Sequence, residues 1–181
     1  MGNEAWQEIS KVRNIEWKRV SEVFDDSYSL WGTNGITPHD IAQGSVGNCW
    51  YLAAAAALAE YPERLNRVVE NETINESGIY AFHFYALGVP YTQVIDDYLP
   101  LKEDRWNGGY STVFGHVGSD KALWGPLMEK AFAKLHGNYQ HIHGGWMSLG
   151  VAALNGSPFV DHDHKDIKQD DLWDFIRDHD G

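Results

Sequence analysis

The sequence predicts an α+β fold dominated by helix, and three observations carry that expectation. Apolar residues recur at helical spacing in several stretches. Two runs rich in aromatic and branched residues flank a short Gly-Pro turn. No internal repeat or low-complexity linker divides the 181 residues.

The elements follow in chain order. Trp17, Val20, Val23 and Phe24 share one side of an amphipathic helix predicted over Trp17 to Phe24. Trp31 to Pro38 is turn-rich. A helix is predicted from Cys49 to about Glu60, because the run Ala53 to Ala57 combines high propensity with a slim profile. Pro62 permits a further helix start, with Leu65, Val68 and Val69 turned inward. Gly78 to Leu87 and Tyr91 to Leu99 read as an antiparallel hairpin turning at Gly88-Val89-Pro90. Trp124, Leu127, Met128, Ala131 and Leu135 mark a second strong helix over Trp124 to Leu135. The last 21 residues carry eight aspartates, yet Leu172, Trp173, Phe175 and Ile176 give a final helix an apolar side to bury.

Composition narrows the function classes. A formal net charge of −12 repels phosphate backbones and anionic lipid, so neither nucleic-acid binding nor membrane insertion is expected. The longest apolar stretch, Leu52 to Ala59, is too short to cross a bilayer. Cys49 is the single cysteine, which excludes an intrachain disulfide and fits a reducing compartment. The N-terminus lacks the basic start and apolar run of a secretory leader. An intracellular, cytoplasmic location is therefore expected, with cytoskeletal association left open.

The stretch Gln43-Gly44-Ser45-Val46-Gly47-Asn48-Cys49-Trp50 carries the chemistry. Two glycines frame a tight loop, and the cysteine opens the alanine-rich helix. A helix N-terminus offers free N–H groups and the positive end of the dipole, which favour a thiolate, the attacking form in acyl transfer. Gln43 is placed to return across the loop, so that its amide and the Cys49 N–H form an oxyanion hole. Against this stands the ordinary role of a lone cysteine as a small buried hydrophobe.

The same stretch resembles the active-site segment of the calpain cysteine proteases, which share the papain-like fold. Ile15 to Val20, Arg67 to Val69, Gly78 to Phe84, Val94 to Pro100, Leu127 to Lys134, Gly137 to Tyr139 and Gly144-Gly145 resemble calpain core segments in the family's order. The resemblance implies a calpain-type core first lobe over residues 15–181, with residues 1–14 as an N-terminal extension. It implies a calcium-dependent, cysteine-type endopeptidase with Cys49 as nucleophile, Gln43 in the oxyanion hole and Trp50 packed beneath the site. The partner is then a protein or peptide substrate.

The family's general base is a histidine oriented by an asparagine, both in a second, sheet-rich lobe. Neither a Gly-His-Ala-Tyr-like nor an Asn-Pro-Trp-Gly-like segment occurs in these 181 residues. Nothing in the settings of His39, His83, His116, His136 or His141 marks a base. The chain is expected to carry only the nucleophile half and to be inactive alone. The alternative is a non-catalytic pseudoenzyme, an interaction or structural protein whose partner covers the face left by the second lobe.

The resemblance also implies calcium, held by the carbonyls of Thr33 and Gly35 and the carboxylate of Asp40. The second acidic ligand would fall at position 122, which is Ala122; Asp120 lies two residues earlier, and Pro38 replaces an arginine that links the family's lobes. His141-Ile142-His143 and Asp161-His162-Asp163-His164 are read as solvated loop rather than as a transition-metal site.

Overall fold

The computed structural model describes residues 14–106 and 108–178. The expected N-terminal extension therefore lies, apart from Asn14, outside the described residues. Among those described, helix exceeds strand and the strands pair antiparallel in small sheets, so the fold is α+β.

Strand β1 (Glu16–Arg19) leads into the single-turn helix α1 (Val20–Val23). This corrects the expected helix over Trp17 to Phe24. Glu16 to Arg19 instead pair antiparallel with Tyr98 to Leu101, leaving Trp17 52% exposed while Val20 enters the core. A ladder to a distant strand overrides the local helical spacing.

Helix α2 (Cys49–Ala59) and the short α3 (Pro62–Leu65) form as expected, and Leu65, Val68 and Val69 are buried. Strands β2 (Ile79–Ala86) and β3 (Val89–Asp96) make the hairpin. Its turn is Leu87-Gly88 rather than Gly88-Val89-Pro90, with φ of 51° and 80° at the two residues. Positive φ at both positions suits the right-handed twist of a two-residue hairpin. Val89 and Pro90 join the ladder, and the chain breaks at Asp97 before β4 (Tyr98–Glu103) and β5 (Tyr110–Thr112). The second sheet runs β1-β4-β5.

Helix α4 (Trp124–Leu135) holds the layers together. Trp124, Leu127, Met128, Ala131 and Phe132 are buried along it, as the spacing predicts. The Phe132 ring stacks on Tyr51 at 3.8 Å and meets Trp50 and Phe84 edge-on at 5.7 Å each. One side chain thereby joins α4, α2 and β2. Lys130 and Lys134 donate to the carbonyls of Asp96, Tyr98 and Val94, strapping the strands to the helix.

Helix α5 (Met147–Asn155) crosses α2 closely. A Cβ on Gly150 would meet the Ala54 Cβ at 2.8 Å and the Trp50 carbonyl at 3.3 Å. The alanine run in α2 makes that approach possible. Helix α6 (Gln169–Asp178) has no buried residue; Trp173, Phe175 and Ile176 are exposed. The expectation that this helix buries its apolar side therefore does not hold among the described residues, where its ring contact is His162 with Phe175.

Candidate active site

The loop before α2 is shaped by its glycines. A Cβ on Gly44 would collide with the Phe114 carbonyl and lie 2.6 Å from the Val113 oxygen, so only glycine lets the loop lie against residues 113–114. Ser45 N–H donates to the Val113 carbonyl at 2.9 Å, and Val46 is buried beside Val113 and Phe114. The loop is thus fixed from behind before it reaches Cys49.

Asn48 is the N-cap of α2, and its carbonyl accepts from the Tyr51 and Leu52 N–H groups. Cys49 is the first helical residue and is exposed. Its N–H belongs to the first turn, where backbone donors lack intrahelical partners. Gln43 is exposed on the same loop, and its Nε2 donates to the Val46 carbonyl at 2.7 Å. A primary amide carries two N–H groups, so this bond fixes the side chain while leaving one donor. Trp50 donates from Nε1 to the Ile142 carbonyl at 2.9 Å, and Gly145 lies against its indole.

Sequence reasoning gave no role at the Gly47-Asn48 turn to three groups, one of which, His143, it read only as solvated loop. Glu129, on α4, accepts from Asn48 Nδ2 and from the Gly115 N–H, both at 2.6 Å. It is 1% exposed, and burial pushes its carboxyl up to about 7 against the lowering effect of those two donors. Asn48, the second, is itself fully buried. The third, His143, accepts the Gly47 N–H through Nδ1 at 3.2 Å, while Gly144 N–H donates to the Gly47 carbonyl at 2.8 Å. Glycine-rich spacing marked the loop, but nothing local marked side chains 81 to 96 positions away as its partners.

The histidines considered from sequence are dispersed. His83 pairs with Glu70 at 2.7 Å on the hairpin, His116 lies near Thr112 Oγ1 at 3.3 Å, and the ring nitrogens of His136 and His141 contact main-chain oxygens.

The oxygen-rich loop lies on another side. Asp40 is 1% exposed and accepts from Thr37 N–H, Thr37 Oγ1 and Trp124 Nε1 at 2.9, 3.2 and 2.9 Å. Burial pushes its carboxyl up, and the Asp120 charge adds to that. Asp120 packs against Gly32 and accepts the Asn34 N–H at 3.0 Å. Its other oxygen is buried without a hydrogen-bond donor. Ala122 is buried and contributes no ligand. Thr33 and Gly35 flank Asn34, so their carbonyls belong to the same loop as the Asp120 contact. Among the described residues no three His, Cys, Asp or Glu side chains converge as a metal cluster.

Comparison with known proteins adds the family to which this sequence is similar. The family model of calpain family cysteine proteases matches residues 3–180. The chain is 39% identical over 150 residues to the calpain-2 catalytic subunit of Homo sapiens, covering 81% of this chain and 20% of that protein. It is 38% identical over 150 residues to the calpain-1 catalytic subunit of Gallus gallus and 36% over 149 to calpain-12 of Mus musculus, with the same coverage. It spans about a fifth of the length of these relatives. A match along nearly the whole sequence, with Cys49 heading its helix behind a glycine-framed loop, is family evidence of a kind that a short motif alone does not supply, and the chain belongs to the calpain family of cysteine proteases.

Proposed function

We propose that this chain is the nucleophile-bearing lobe of a papain-like, calpain-type endopeptidase. The observation that carries the reading is the exposed Cys49 at the first position of α2, behind a loop held rigid by Gly44, Ser45 and Gln43. The thiolate sulfur attacks the carbonyl carbon of a peptide bond, and the carbonyl π electrons move to oxygen. The Cys49 N–H and the remaining Gln43 amide N–H stabilise that oxyanion, a type of contact whose loss costs roughly 10²–10³ in rate. Collapse expels the amine, which takes a proton from an acid, and water then releases the acyl group from sulfur. The acid and base are a histidine of the second lobe, outside the segments that this sequence contains. Trp50, pinned through its indole to Ile142, keeps the ring beside the nucleophile from swinging into the cleft.

Two results test this reading. A peptidyl epoxide is expected to label Cys49 at neutral pH faster than it labels free cysteine, and equal rates would refute an activated thiol. The chain alone is expected not to turn over a peptide; turnover abolished by Cys49→Ala would overturn the half-site reading.

Calcium fits the loop 32–40 by donor chemistry. Asp120 presents a buried oxygen without a donor, Asp40 is a second hard carboxylate, and the Thr33 and Gly35 carbonyls are of the type calcium takes. Bound there, the ion would offset the repulsion between the two acids and steady the segment leading to Gln43. Asp120 then replaces the acid missing at Ala122. Calorimetric titration is expected to give millimolar or tighter binding that Asp120→Asn removes; heats unchanged by that substitution would reject the site.

A second reading has one observation in its favour. An apolar cleft of about 770 Å³ lies beside Trp50, lined by Tyr85, Phe132, Leu149 and Phe159, and the α6 face is also open. Such surfaces suit a non-catalytic interaction protein. Epoxide labelling separates the two readings, since an interaction protein has no need of an activated thiol.

A further inference from the structure

Glu129 does not belong to the loop–helix unit that bears Cys49, yet its carboxylate reaches that unit from inside the protein. One oxygen accepts from the Asn48 side chain, the N-cap immediately before the nucleophile. The other accepts from Gly115 N–H, in the segment whose Val113 and Phe114 back Ser45 and Gly44. A single buried side chain therefore holds both walls of the Gln43–Cys49 loop. We propose that Glu129 is the positioning residue of the nucleophile loop, and that its gain or loss of a proton changes the reactivity of Cys49. This rests on the reading of Cys49 as nucleophile and deepens it.

The surroundings make the charge consequential. Tyr51 from α2 and Tyr139 from the segment after α4 face Glu129; burial, then the Glu129 charge, pushes both phenols far up, so both stay neutral and neither adds a second negative charge. His116 follows Gly115, and burial and Lys102 push its imidazole down, so it is not a cation there at neutrality. His143 meets the Gly47 turn through Nδ1, which accepts that residue's N–H. Among the described residues no ion pair to Glu129 is formed, and its charge rests on two neutral donors. Buried charge acts through a low dielectric, and a negative one behind the α2 N-terminus opposes charge growing on the Cys49 sulfur. A proton on Glu129 removes that opposition. It also turns one oxygen into a donor, which the otherwise unpartnered Asn48 Oδ1 can accept after its amide turns over.

The test uses the whole chain and needs no turnover. The rate of Cys49 alkylation by iodoacetamide is measured from pH 5 to 10 for wild type, Glu129→Gln and His143→Gln. Wild type is expected to show two inflections, the lower near neutrality, and His143→Gln to keep both. Glu129→Gln, fixed in the neutral form, is expected to give a single inflection and to react roughly 3–10-fold faster near pH 7.5, the scale on which one buried charge alters a neighbouring group's reactivity. A single inflection in wild type overturns the proposal even if Glu129→Gln fails to fold. So does a lower inflection that survives Glu129→Gln or disappears with His143→Gln. Alkylation no faster than that of free cysteine at every pH would instead count against the nucleophile itself, and the inflections would still decide the role of Glu129.

Discussion

At the scale of the residue, Glu129 sets a price on ionisation inside the fold. Its folded-state pKa of about 7 lies above the unfolded value of 4.5, so the native state binds the extra proton between those limits. Stability is then full below pH 4.5, falls as pH rises towards 7, and is level beyond. The full loss is about 3.5 kcal/mol, most of it between pH 5 and pH 8. Urea denaturation at pH 5 and pH 8 is expected to show that loss for wild type and to lack it for Glu129→Gln. An equal pH dependence in both would remove Glu129 as the cause. Sequence reasoning singled out Cys49 and Gln43 as candidates because the signal for them is local: glycines, a cap position and an alanine run within some fifteen residues. It missed Glu129 because the helical spacing of Leu127, Met128 and Ala131 explains that segment as core, and a polar residue inside it carries no mark of its partner. His143 was hidden differently, since its role is to accept from a backbone N–H, which any neighbouring residue type supplies.

At the scale of the element, long periodic segments were legible and pairings were not. The α2 and α4 boundaries follow from alanine content and apolar spacing. β1 depends on strand partners 79 to 85 residues later, which no window along the chain contains. The hairpin shows a subtler failure. Pro90 suggests a turn, yet proline is tolerated in a ladder at an edge, and the turn settles one step earlier on Leu87-Gly88. Leu87 holds φ of 51° and is fully exposed, a conformation leucine adopts at a cost and asparagine readily. Leu87→Asn is expected to raise stability by about 1 kcal/mol and to increase Tm in a thermal melt. A lower Tm would mean that the Leu87 side chain finds apolar cover in solution.

At the scale of the whole molecule, the packed core gathers around α4 and excludes α6. Trp173 and Ile176 are 64% and 56% exposed, so replacing both by aspartate removes nothing from the buried core. The Trp173→Asp/Ile176→Asp chain is expected to melt at the wild-type temperature, and calorimetric scans would show otherwise if α6 supports the fold. The opposite limit is the crossing of α2 and α5 at Gly150 and Ala54, where the helices approach too closely to admit a further Cβ. Amide protons of α2 beyond its first turn should then exchange with solvent deuterium only through global opening, and those of α6 almost as in an unfolded chain. Cys49 stands at the boundary of these regimes. Its sulfur meets reagents at the surface, whereas the helix that aims it belongs to the slowest-exchanging part of the protein.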